Sequence, residues 1–82
     1  MITPVQIADL IRKALPDAIV EADDWAGTLD HYNVRVVSEG FAGVSLLDQH
    51  RLVYAALDSA LKDGRLHAIA IKTQLPEKRK PS

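Results

Sequence analysis

The sequence predicts an α+β domain in the order α-β-β-α-β, built as a three-stranded mixed sheet with both helices packed on one face. Three observations carry this. Two helical apolar patterns are separated by two strand-like runs. A third strand-like run follows the second helix directly after a glycine. The apolar stripes of the two helices need a common surface to cover, and one face of a sheet supplies it. A strand, a helix and a further strand in this order make a crossover, which is almost always right-handed.

The first helix opens at Thr3-Pro4-Val5-Gln6. Thr3 is the cap, Pro4 takes the first helical position and Gln6 can reach back in a capping box. Ile7, Leu10, Ile11, Ala14 and Leu15 form its apolar stripe, and Pro16 ends it, so the helix should run from about Pro4 to Ala14. Asp17 to Asp23 holds Ile19, Val20 and Ala22 and reads as a strand. Asp24 to Asp30 is a polar loop with Trp25 and Gly27. His31 to Ser38 alternates more cleanly, with Tyr32, Val34 and Val36 facing the core and Asn33 and Arg35 facing away. The two strands should pair as an antiparallel hairpin with a loop longer than a tight turn.

Phe41-Ala42-Gly43 is a turn, and Ser45 caps the second helix, with Asp48 in its first turn. Leu46, Leu47, Val53, Tyr54, Leu57, Ala60 and Leu61 recur at helical spacing and read as its packed face. Gly64 ends the helix through positive φ. Leu66 to Thr73 is the last strand. Residues 1–76 thus make one domain, and the charged residues 77–82 are expected to be a disordered tail.

A chain of 82 residues forms a single small domain with a thin core. Its 48% hydrophobic and 26% charged residues suit a soluble globular protein. A net charge of −1 speaks against a general nucleic-acid binder, which carries a basic excess. There is no cysteine, so disulfides and thiolate metal sites made by this chain alone are excluded. No apolar run is long enough for a membrane span and no signal-peptide pattern opens the chain, so a cytoplasmic location is expected.

The chemistry-bearing residues are few. No nucleophile–base pair, paired acids or phosphate loop stands out, and the adjacent Asp23 and Asp24 read as solvated, so an enzyme is not expected. Of the three histidines, His67 begins the last strand and His31 begins the second. An imidazole at a strand end is usually exposed or hydrogen-bonded, and a pair of them can also ligate iron, zinc or copper at neutral pH. His50 beside Arg51 reads as part of an exposed helix face, with a partner or anion contact as the functional alternative. Gly40-Phe41-Ala42-Gly43 spells G-x-x-G, but it follows a strand rather than joining two helices as in a KH domain, and it reads as a turn.

Three blocks carry a resemblance. Phe41-x-Gly43-x-Ser45, then His50-Arg51-Leu52-Val53-Tyr54, then Leu66-His67-Ala68 with Lys72-Thr73, resemble the BolA family over roughly residues 30 to 77. The resemblance implies a BolA-like fold, similar to the class II KH fold. It makes His67 the characteristic metal-ligand candidate and asks for a second Cys or His from the loop between the first two strands. Without cysteine that candidate is His31. Two histidines do not complete the four ligands of a 2Fe–2S cluster. The family pairs with monothiol glutaredoxins, which would add a cysteine and a glutathione thiol. The implied function is an adaptor of iron–sulfur metabolism that shares a 2Fe–2S cluster with a monothiol glutaredoxin and glutathione. The alternative is a KH-like DNA-binding transcriptional regulator, using Arg35, Gly43, Arg51 and Lys72, with Lys62 and Arg65 as further cations. A third reading is a small interaction domain without metal. Family members often carry Thr-Pro-Glu-x-Trp-like residues and a further segment where this sequence has Leu75-Pro76-Glu77-Lys78.

Overall fold

The computed structural model describes residues 1–76, and the tail expected over 77–82 lies outside the described residues. Helix α1 spans Pro4–Ala14, and strands β1 and β2 span Ile19–Asp24 and His31–Val37. A short 3-10 turn at Glu39–Phe41 leads to α2 (Leu46–Ala56), α3 (Asp58–Lys62) and β3 (Ala68–Gln74). The sheet order is β1-β2-β3, with β1 antiparallel and β3 parallel to the central β2. The expected α+β fold with a mixed three-stranded sheet is therefore present. No helix among the described residues is long and apolar enough to cross a membrane.

The caps form as their chemistry dictates. The Thr3 hydroxyl accepts from the Gln6 N–H while the Gln6 carboxamide accepts from the Thr3 N–H. Ser45 accepts from the Asp48 N–H at 3.2 Å. Gly64 ends the helical region at φ +83°. Alternation decides the sheet. Tyr32, Val34 and Val36 are buried, whereas Asn33 and Arg35 are exposed on the other face. The core joins them to Ile7, Ile11 and Leu15 of the first helical region and to Val53, Leu57 and Ala60 of the second. Ile2 is fully buried ahead of α1, and its carbonyl accepts from the Tyr32 hydroxyl at 2.6 Å.

The second helical region differs from its expected form. It is two helices rather than one, interrupted at Leu57, whose φ of −99° and ψ of 6° leave the helical range. Leu46, Leu47 and Tyr54 were expected in the packed face, but all three are exposed. Gln49 explains the first. Its carboxamide Oε1 accepts from the Thr73 hydroxyl, and its Nε2 donates to the Val44 carbonyl. Gln49 thus already reaches the next-to-last residue of β3, and Leu46, one turn earlier, is left exposed. Leu47 and Tyr54 lie about 100–120° round the helix from Val53, at 3.6 residues per turn, and so point aside. Ala14 is likewise exposed, at the end of α1. The last strand begins at Ala68, so His67 stands just before it rather than in it.

Candidate metal centre

The loop between β1 and β2 is shaped before it reaches its histidine. The Asp24 carboxylate accepts from the Gly27 N–H at 2.9 Å and the Leu29 N–H at 3.0 Å. Gly27 and Leu29 both adopt positive φ, at 73° and 59°, which folds the loop tightly. The Ile2 N–H donates to the Leu29 carbonyl at 2.8 Å, strapping the loop to the buried N-terminal residue.

Asp30 follows, and its backbone joins the loop to β3. Its carbonyl accepts from the N–H groups of His67 and Ala68, at 2.8 and 3.1 Å. Parallel pairing sets His31 opposite Ala68, so both strands start at the same edge of the sheet. His31 and His67, separated by most of the crossover in sequence, therefore meet. Their ring centres are 6.1 Å apart, with the ring planes near perpendicular. The Trp25 ring stands edge-on to His31, with 5.5 Å between centres.

One carboxylate faces both imidazoles. His31 Nδ1 is 2.7 Å from Asp30 Oδ1, and His67 Nδ1 is 3.0 Å from Asp30 Oδ2. Thr28 also donates its hydroxyl proton to Asp30 Oδ1. That bond, ahead of the one from His31, holds the Asp30 carboxyl below its ordinary range. An ionised carboxylate only accepts, and a lone pair on Nδ1 would repel it, so the hydrogen bond at His31 puts the proton of that neutral ring on Nδ1, while His67 Nδ1 makes a close charge contact with Oδ2 without a hydrogen bond. The His31 lone pair then sits on Nε2, and no hydrogen bond occupies Nε2 of either ring among the described residues. His67 is 58% exposed and His31 35%, so both rings are open to solvent. Gly64 lies beside His67, where a Cβ would make only ordinary contact with Nε2 at 3.9 Å, so its positive φ rather than crowding calls for glycine.

The donor set fits a metal. Neutral imidazoles with a carboxylate behind Nδ1 are the common arrangement of ligating histidines. A metal held about 2.1 Å from Nε2 lies ~3.2 Å from the ring centre, so two rings on one ion at tetrahedral angles stand about 5.2 Å apart. The observed 6.1 Å is wider than this, so the two exposed rings would have to swing toward each other to share one ion. Among the described residues, no group of three or more His, Cys, Asp or Glu side chains forms a metal-binding cluster. The pair therefore offers two nitrogens to a coordination sphere that must be completed from elsewhere.

The residues of the nucleic-acid alternative do not converge. Arg35 and Lys72 are register partners on the face of the sheet opposite the helices. They line a shallow groove there with Glu21, Asp23, Asn33 and Ala70. Gly43 lies in the turn before α2 and Arg51 lies on α2, on the helical side. Four of the five expected cations are paired with acids: Arg35 with Glu21, Arg51 with Asp48, Lys62 with Asp58 and Arg65 with Asp63. His50 is half-buried on α2. Sequence reasoning did not single out Asp30. The available signal was an acid directly before His31, at the strand edge where a parallel crossover must return.

Known proteins share this fold and much of this sequence. The family profile described as BolA-like protein matches residues 8–78. Protein BOLA2 of Arabidopsis thaliana is 40% identical over 83 residues, covering 99% of this chain and 87% of its own. The uncharacterized protein RP812 of Rickettsia prowazekii is 35% identical over 72 residues, covering 88% and 92%. Among solved structures, BolA1 from Arabidopsis thaliana superposes with a TM-score of 0.79 at 32% identity, covering 94% of this chain and 95% of its own. With the profile spanning most of the sequence and the same fold in BolA1, this chain belongs to the BolA-like family.

Proposed function

We propose that this chain is an adaptor of iron–sulfur metabolism. It would bind a monothiol glutaredoxin and contribute His67 and His31 to a shared 2Fe–2S cluster, the remaining ligands being a glutaredoxin cysteine and a glutathione thiol. The observation that carries this reading is the meeting of two imidazoles from separate elements at one carboxylate, with both Nε2 atoms unengaged. Two nitrogens without a thiolate make half of a cluster site and call for a partner that brings sulfur. When bound, the cluster supplies a redox-active, exchangeable iron–sulfur unit. The chain's own residues orient the donors through Asp30.

The test is co-purification with a monothiol glutaredoxin in the presence of iron, sulfide and glutathione, followed by visible absorption, circular dichroism and electrochemistry. His67→Ala should change the spectrum and weaken retention of the cluster, while the exposed ring's loss leaves the fold intact. Imidazole in place of thiolate raises the potential of a 2Fe–2S centre, so the heterodimer should be easier to reduce than the glutaredoxin homodimer. An unchanged spectrum in the variant, with a potential equal to that of the homodimer, would remove the histidines from the cluster. The DNA-binding reading has less support, since its arginines are neutralised by neighbouring acids and lie on opposite faces. Few phosphates could be neutralised, so binding to arbitrary duplex at physiological salt should be weak.

A further inference from the structure

We propose that Asp30 is the positioning residue of the two-histidine site. Its single carboxylate fixes His31 as the Nδ1–H tautomer through a hydrogen bond, biases His67 to the same tautomer through the charge of its second oxygen, and so presents both Nε2 lone pairs away from Asp30. This inference rests on the reading of His31 and His67 as ligands for its consequence, but its structural content can be tested without any metal.

The geometry is specific to this residue. Each carboxylate oxygen lies against a different ring: Oδ1 is hydrogen-bonded to His31 Nδ1 at 2.7 Å, and Oδ2 stands 3.0 Å from His67 Nδ1 as a charge contact. The Thr28 hydroxyl holds the carboxylate from the loop side. The carbonyl of the same residue accepts from the backbone N–H of His67, which keeps that residue beside the acid. Asp30 is the least exposed of the three, with 19% of its side chain accessible. A short acid is needed here, because its carboxylate must reach the neighbouring ring and the ring across the strand gap together.

An imidazole free in water favours the Nε2–H tautomer, which has no lone pair on Nε2. The carboxylate reverses that preference at both rings and removes the need to shift a proton within the ring before Nε2 can donate. A carboxylate behind Nδ1 also raises the basicity of the ligand, and loss of such a partner typically weakens metal affinity 10–100-fold. An asparagine could not replace it. Its one carbonyl oxygen accepts from one ring, and its amide presents a donor to the other.

The first measurement uses the metal-free chain. Long-range proton–nitrogen correlation spectra report the tautomer of each histidine. Wild type should show Nδ1–H at His31 and His67 at a pH where both are neutral. Asp30→Ala should return both to the Nε2–H form, and Asp30→Asn should hold only one of them. Wild-type rings in the Nε2–H form, or rings unchanged in both variants, would overturn the proposal. The wild-type spectrum alone decides the point if the variants fail to fold.

The second measurement uses the complex reconstituted with a monothiol glutaredoxin. Asp30→Ala should weaken cluster retention about 10–100-fold. It should also raise the reduction potential, because less basic imidazoles stabilise the oxidised iron less. If His67→Ala alters the cluster but Asp30→Ala leaves retention and potential at wild-type values, the positioning role is wrong and the ligand reading stands. If His67→Ala leaves the cluster unchanged, the ligand reading fails, and the tautomer spectra still decide what Asp30 does to the rings.

Discussion

Asp17 ties the start of β1 to the turn that follows β2. Its carboxylate accepts from the Ser38 hydroxyl at 2.6 Å and from the Glu39 N–H at 2.8 Å. Ser38 is fully buried, so its hydroxyl needs such a partner. The Ser38 bond first, and the Glu39 bond second, hold the Asp17 carboxyl below its ordinary value of 3.8. A carboxyl with a depressed pKa in the folded state binds fewer protons there than in the unfolded chain, so its stabilisation grows with pH across that interval. It is complete well above 3.8 and erodes as the pH drops from 3.8 through the lower folded value. Asp17→Asn should therefore be less stable than wild type at neutral pH, with the gap closing in acid. Urea melts of both proteins at neutral pH and about pH 3 check this, and a gap that stays constant would show that ionisation contributes nothing. Nearby, Gly40 packs where a Cβ would come within 2.7 Å of Leu15 Cδ2, so the turn and the end of the first helix are fitted to each other.

At the scale of elements, capping and alternation were legible because they act locally. Thr3, Gln6 and Ser45 serve their own helix ends, and Tyr32, Val34 and Val36 follow the pleat. The packing of α2 was not legible from spacing, since periodicity gives a face but not how far the neighbouring sheet extends beneath it. Leu46 lies seven residues before Val53 and on the same side, yet it is exposed while Val53 is fully buried. Gln49 takes the inward position at that level because Thr73 offers it a hydroxyl. The substitutions should separate accordingly. Leu57→Ala removes a fully buried side chain and should cost about 2–5 kcal/mol. Leu46→Ser should change stability by no more than about 0.5 kcal/mol. Chemical denaturation of the isolated chain measures both, and comparable losses would mean that Leu46 is packed in solution.

At the scale of the whole molecule, the site was legible only as two separate strand ends. His31 and His67 become neighbours through the parallel pairing of β2 with β3, a consequence of the crossover rather than of either local sequence. Asp30 stayed hidden because its role depends on that long-range meeting: its carbonyl and carboxylate act on residues that arrive from the far end of the chain. The burial of Ile2 has a further effect on the loop that precedes them. Ile2 binds Leu29 through its N–H and receives the Tyr32 hydroxyl at its carbonyl. Local opening of the loop must therefore break contacts that also anchor the start of α1, which turns fraying into a small cooperative unfolding event. Hydrogen exchange reads such openings amide by amide. Ile2→Ala should keep the two backbone-mediated bonds but weaken their anchor, so the Leu29 amide should exchange faster while those at the centre of β2 keep their protection. Equal acceleration at both places would mean that the loop and sheet open together. The rigidity of the histidine pair would then be a property of global stability, with no separate unit to loosen.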